Sequence, residues 1–167
     1  MAHEVPPNDF LSHRLRIGYP PMGGRTALRY RRVEIPHTHG LLGHSDADAL
    51  THAIIDALLG ALALGDIGQH FPDTDPRFKD INSLELLRTT MILVEETGYR
   101  VGNVDATVVT DLPKLAPYIH RIRRTLSEPL KVEESSVSVK ATRTECVLFP
   151  ATQGLLATAV VMLIREK

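Results

Sequence analysis

At 167 residues the chain has the length of one domain with an ordinary core, and 43% apolar against 23% charged residues excludes a disordered polymer. A formal net charge of −1 excludes a general electrostatic binder of nucleic acid or acidic membrane, and a single cysteine, Cys146, excludes an intrachain disulfide and suits a reducing compartment. MAHEVPPNDF lacks the basic-then-apolar order of a secretion signal, and LLATAVVMLI is too short to span a bilayer as a helix, so the expected location is the cytoplasm.

Residues 1–13 are polar, with a proline pair, and read as a mobile extension before a single domain over 14–167. LRIGY (15–19) and RYRRVEI (29–35) read as strands joined by the Pro- and Gly-rich PPMGGR. Ser45 has the character of an N-cap, with Asp48 at the third helical position. Ala49, Leu50, Ala53, Ile54, Ala57, Leu58, Ala61 and Leu62 then repeat at helical spacing as far as a natural stop at Gly65. After the loop HFPDTDPRFKD, residues 83–98 form a second expected helix, capped by Ser83 and ended by Gly98. Val104, Ala106 and Val108 alternate in an expected strand over 101–111. A Pro-bounded helix is expected near 117–128, a further alternating strand over 136–144, and a last strand over 155–164. That last strand is apolar enough for burial on both faces, or on one face against another subunit. The pattern predicts an α+β fold: a mixed sheet with helices packed on one face.

The front of the first helix carries the densest chemistry. His44, Ser45, Asp46 and Asp48 gather where a helix offers unpaired N–H groups and partial positive charge. Capping is one account of the two aspartates, and a functional role at the helix front is the other. Asp48, His52 and Asp56 follow at four-residue steps along one stripe, which suits a metal, a substrate, or a buried hydrogen-bonded His–Asp pair. GDIGQHFPDTDP (65–76) sets Asp66, Asp73 and Asp75 among glycines and prolines, while TDLPKLAP (110–117) holds Lys114 between two prolines at a strand end. KATRTE (140–145) closes another strand with hydroxyls and a carboxylate, groups that can hold phosphates and their metal. The basic run Arg121, Arg123 and Arg124 reads as solvated surface.

Taken in order, GLLGHSDADALTHAIIDALLGALALGDIGQHFPDTDPRFK, GYRVGNVDATVV, LPKLAPYI and KATRTE closely resemble the 2-C-methyl-D-erythritol 2,4-cyclodiphosphate synthase family. The resemblance runs from Leu15 to Ile164 and implies a homotrimer with active sites between neighbours. It implies the substrate 4-diphosphocytidyl-2-C-methyl-D-erythritol 2-phosphate, whose 2-phosphate attacks the β-phosphorus of its own diphosphate and expels CMP. Residue by residue, it places His44 and Ser45 against the methylerythritol phosphate and Asp66 and Gly68 at the ribose. Phe71 and Asp73 match substrate-facing positions, and Lys114, Leu115, Ala141 and Thr142 match the cytidine pocket. His52 matches one of three zinc ligands and Asp56 a carboxylate beside the zinc. Glu145 matches the ligand of a second divalent ion, Mg²⁺ or Mn²⁺.

The chain departs from that pattern at the two other zinc positions, an Asp-x-His at the end of the first strand. GYPPM puts Pro20 and Met22 there, and His37 or His39 are the nearby imidazoles. Proline has no side-chain ligand atom and a thioether is a poor Zn²⁺ ligand beside hard phosphates, so zinc is expected to be weak or absent. Arg143 stands where the resemblance puts a small hydroxyl residue near the cytidine phosphates, a guanidinium that either binds the diphosphate or blocks the pocket, and LFPATQG (148–154) replaces a glycine- and arginine-containing segment. Two main readings follow: an active synthase with a rebuilt metal site, with Arg143 among its catalytic groups, or an impaired homologue that keeps the trimer and the cytidine-nucleotide pocket for binding or regulation. A third is a metal-dependent phosphohydrolase acting on another nucleotide.

Overall fold

The computed structural model describes residues 10–18, 28–30, 33–35, 48–78, 81–111, 113–143, 145 and 155–166. Its elements run β1 (Phe10–Gly18), β2 (Leu28–Tyr30), β3 (Val33–Ile35), α1 (Ala49–Ala61), α2 (Ile67–His70), α3 (Ser83–Glu96), β4 (Tyr99–Val109), α4 (Ile119–Leu130), β5 (Val137–Thr142) and β6 (Leu155–Arg165). Four strands make one mixed sheet in the order β1-β6-β4-β5, and β2 and β3 form a separate antiparallel pair. β6 is antiparallel to both of its neighbours, whereas β4 and β5 are parallel. A parallel pair needs a crossover, and α4 supplies it. α1 packs on β1 and β6, α3 on α1, and α4 on α3 and β5, so the fold is the expected α+β layering.

Ten of the thirteen residues of α1 are buried, including Leu50, Ile54, Ile55, Leu58 and Leu59 at 0% exposure. A helix apolar on nearly every side needs cover on nearly every side, and the sheet and α3 provide it. On β6 the side chains of Leu155, Ala157, Ala159, Val161 and Leu163 enter the core, while Leu156, Val160, Met162 and Ile164 stay half-buried. The last strand therefore buries one face within the chain, not both. β4 skips a register position at Gly102, where a side chain would bring its Cβ within 2.8 Å of Met162 Cε and 2.9 Å of Ile164 Cδ1. The bulge sits where the backbone runs close to its neighbour's side chains.

Several sequence expectations are corrected by hydrogen bonding. β1 begins at Phe10, so residues 10–13 are strand paired with Val160–Leu163, not part of a mobile extension. RYRRVEI is two short strands, not one: Tyr30 pairs with Val33 and Leu28 with Ile35, which satisfies backbone groups within the segment itself. The cap of α1 is Asp48, not Ser45, because its carboxylate accepts from both Thr51 N (3.0 Å) and Thr51 Oγ1 (2.7 Å). Likewise Asn82, not Ser83, caps α3, its Oδ1 accepting from Leu84 N at 3.0 Å. The expected helix near 117–128 is one 3₁₀ turn, Ala116–Tyr118, followed by α4, which ends at Lys131 in the left-handed region (φ 55°). Among the described residues no helix is long and apolar enough to cross a membrane.

Candidate functional site

The Asp48–His52–Asp56 stripe exists as spaced, and each side chain has a defined task. Asp48 caps α1. His52 is half-buried, its Nε2 3.0 Å from Oγ of the fully buried Ser83 at the start of α3. Asp56, 5% exposed, accepts a 2.8 Å hydrogen bond at Oδ1 from Ile67 N, the first amide of α2. His52 and Asp56 thus each reach a different neighbouring element, α3 and α2.

That last contact builds the GDIG turn. α1 ends with Leu64 N donating to Leu59 O at 2.9 Å, and Gly65 follows at φ +86°, a conformation that suits glycine. Asp66 then caps α2 through Gln69 N (3.0 Å), and His70 Nε2 lies 2.8 Å from Leu64 O, closing the turn on itself. Asp66 and Gly68 are exposed, and Asp73 is exposed one turn further on. Phe71 is 8% exposed, packed edge-on against Phe78 with ring centres 5.4 Å apart. It anchors the FPDTD loop, and its burial leaves Asp73 the better-presented polar group. Asp75 does not face outward alone: Arg77 binds it through Nε and Nη2 and holds its carboxyl below the ordinary carboxylate range.

The second cluster forms at the carboxyl ends of the parallel strands β4 and β5, where open α/β layers commonly bind ligands. Val108 pairs with Ala141 and Val109 with Thr142, and Thr110 N donates to Thr142 O at 2.9 Å. This register sets the Lys114 loop beside KATRTE, as the spacing alone did not reveal. Pro113 and Leu115 are buried and leave Lys114 exposed between them. Ala141, Thr142, Arg143 and Glu145 are all exposed, and Glu145 adopts φ +50°. Arg143 Nε stands 3.6 Å from Oδ1 of Asp111, whose side chain is wholly shielded from solvent. Asp111 escaped sequence reasoning because only the β4–β5 register brings it to Arg143. His44, Ser45, Pro20, Met22, His37, His39 and the segment 148–154 lie outside the described residues.

Lys140 Nζ and Asp105 Oδ2 bridge β5 and β4 at 2.6 Å just before this cluster. The Lys140 hydrogen bond lowers the Asp105 pKa against the opposing effect of partial burial, with Ser138 helping. A carboxyl depressed in the folded state adds stability above its ordinary value near 4, and that contribution is lost as pH falls through the lowered one. Lys140→Met should return the Asp105 titration, followed by carboxyl-carbon NMR, toward the ordinary range and weaken the acid dependence of stability. An unchanged Asp105 titration would show that the bridge does not form in solution.

His52 meets Ser83 through Nε2, and at the positions that the sequence resemblance matches to two further zinc ligands stand Pro20 and Met22, neither of which offers a good zinc donor. Among the described residues no three of His, Cys, Asp and Glu gather as a metal site. Glu145, exposed at a strand end, suits a hard divalent cation that takes one carboxylate together with phosphate oxygens.

The YgbB family matches residues 13–164. The 2-C-methyl-D-erythritol 2,4-cyclodiphosphate synthase of Syntrophomonas wolfei is 58% identical over 132 residues, 78% of this chain and 84% of that one. The synthase of the same name from Desulfitobacterium hafniense is 53% identical over 134 residues, 80% and 85% of the two chains. A solved synthase in its CDP-bound form superposes with a TM-score of 0.83 at 34% identity, covering 92% of this chain and 99% of that one.

Proposed function

The chain belongs to the YgbB family, and from that premise we infer that it cyclises 4-diphosphocytidyl-2-C-methyl-D-erythritol 2-phosphate to 2-C-methyl-D-erythritol 2,4-cyclodiphosphate, a step of non-mevalonate isoprenoid biosynthesis. One P–O bond forms between the 2-phosphate and the β-phosphorus, one breaks between the β- and α-phosphoryl groups, and CMP leaves. Likeness to a CDP-bound synthase carries this reading, and the junction of the Lys114 loop with KATRTE at the ends of β4 and β5 fits it.

No protein nucleophile is needed, so the rate rests on positioning and on charge. Buried Leu115 and Pro113 stiffen the Lys114 loop so that its backbone can read the base, and Thr142 and Ala141 form the facing strand end. Asp66 and Gly68 offer the ribose an acceptor and an unobstructed backbone. Asp56 holds the turn that carries them. Arg143, beside the buried Asp111, brings a guanidinium to the diphosphate, where it offsets charge as the β-phosphorus is attacked. Glu145 would hold Mg²⁺ or Mn²⁺, which supplies further charge neutralisation when bound. His44 and Ser45 are assigned to the methylerythritol phosphate. Zinc content is expected to fall clearly below one per chain. The half-buried apolar face of β6 suits the family's homotrimer, in which each site spans two chains, and a cytoplasmic setting accords with the composition.

The test is CMP release from this substrate with Mg²⁺ and Zn²⁺ at saturation. The expected result is CMP and cyclodiphosphate in equal amounts, abolished by chelation. Protein that binds CDP yet releases no CMP would overturn the synthase reading in favour of a nucleotide-binding homologue, the reading that Pro20 and Met22 favour.

A further inference from the structure

A groove of about 850 Å³ runs between the first turn of α3 and the length of α4, away from both clusters above, and its lining includes Asn82, Glu85, Arg88, Arg121, Arg124 and Glu128. Arg121, Arg124 and Glu128 recur at helical spacing, so they form one stripe of α4. Arg123, between them, points elsewhere: it donates from Nε to Val137 O (2.7 Å) and from Nη2 to Glu134 O (2.9 Å), clipping α4 to the start of β5. The basic run is therefore divided, with one structural arginine and two that face the groove.

Both carboxylates of the groove converge on Arg88, Glu85 at 2.7 Å and Glu128 at 3.2 Å, which fixes that guanidinium across the space. Arg121 and Arg124 are exposed and have no acidic partner among the described residues. The neighbouring hydroxyls do not serve them. Thr125 Oγ1 donates to Arg121 O and Ser127 Oγ to Arg124 O, so these side chains are turned back on their own helix. Three arginines against two glutamates leave one positive charge in excess. Two like charges one turn apart cost helix stability, and the Glu128 carboxylate on the same stripe is bonded to Arg88. Each guanidinium presents five N–H donors in a planar fork, the geometry that matches phosphate oxygens in pairs.

We propose that this α3–α4 groove is an anion site for a small molecule bearing a diphosphate, gripped by Arg121 and Arg124, with Arg88 in the same lining. Its size is that of a metabolite pocket rather than a protein footprint. The site is separate from the synthase reading, because none of its residues belongs to the substrate clusters.

Inorganic pyrophosphate is the probe, titrated into the full chain while backbone amides are followed by NMR. Saturable shifts are expected over residues 82–88 and 121–128, and Arg121→Ala/Arg124→Ala should raise the concentration needed by about tenfold or more. CMP release should be unchanged in that variant without pyrophosphate, and circular dichroism should match the parent. No shifts over those residues at about 10 mM pyrophosphate, or the same titration in the double variant, would overturn the proposal. Shifts confined to residues 110–115 and 141–145 would do so as well, by assigning the ligand to the nucleotide pocket.

Discussion

Asp56→Ala is expected to lower CMP release by about 100-fold, the scale on which displacing a positioned substrate group by an ångström reduces rate. The carboxylate accepts from Ile67 N at 2.8 Å and is 5% exposed, so alanine removes the acceptor and admits no ready substitute. Loss of a partly buried acceptor of this kind costs about 1–3 kcal/mol, felt at the junction of α1 and α2 where Asp66 and Gly68 are presented. The defect should therefore appear as a faster-exchanging Ile67 amide together with the fall in rate. Asp56→Asn, which keeps an acceptor oxygen, should recover part of both. A variant Asp56→Ala that retains the parental rate would show that the α1–α2 contact has no part in presenting the turn.

Leu58→Ala should destabilise the fold by about 2–5 kcal/mol. Leu58 is 0% exposed on a helix enclosed by the sheet and α3, so the void has little room to collapse. With about 2–4 °C per kcal/mol for a domain of this size, the melting temperature should drop by roughly 5–20 °C. Scans belong at one fixed chain concentration, since self-association would add its own stabilisation. A change under about 1 kcal/mol would mean that α1 repacks, contrary to the tight enclosure described.

Periodicity made α1, α3, β4 and β6 legible because burial imposes a helical or twofold repeat on residue choice. It failed where backbone hydrogen bonds, not burial, decide. Ser45 and Ser83 are good cap residues by type, yet Asp48 and Asn82 hold the amides. Val101 is buried although it breaks phase with Val104, because Gly102 bulges out of register between them. The polar stripe of α1 was plain in the spacing, but its partners were not: Ser83 lies 31 residues from His52 and Ile67 lies 11 from Asp56. Pairing at that range depends on how helices dock, and no local pattern encodes it. The same holds for Asp111 and Arg143, neighbours only through the β4–β5 register. The motif segments GDIG, FPDTD, PKL and KATRTE were readable as units, whereas the division of the arginine run into clip and groove required α4 to be placed first.

The strand order carries a consequence for how the chain is made. β1 finds its partner in β6, with Phe10 opposite Leu163 and Gly18 opposite Leu155. β1 therefore leaves the ribosome well before its partner and waits for it. At roughly 5–20 residues per second, that delay is on the order of ten seconds. β6 also separates β1 from β4 in the sheet, so until it arrives neither strand has its central neighbour. The helices and the β4–α4–β5 crossover can assemble from contacts closer in sequence, but the sheet closes only when β6 is inserted. During translation the unpaired edge of β4 and the solitary β1 are the surfaces most in need of protection, and an interruption before residue 155 would leave a chain with nearly all its site motifs and no completed sheet beneath them.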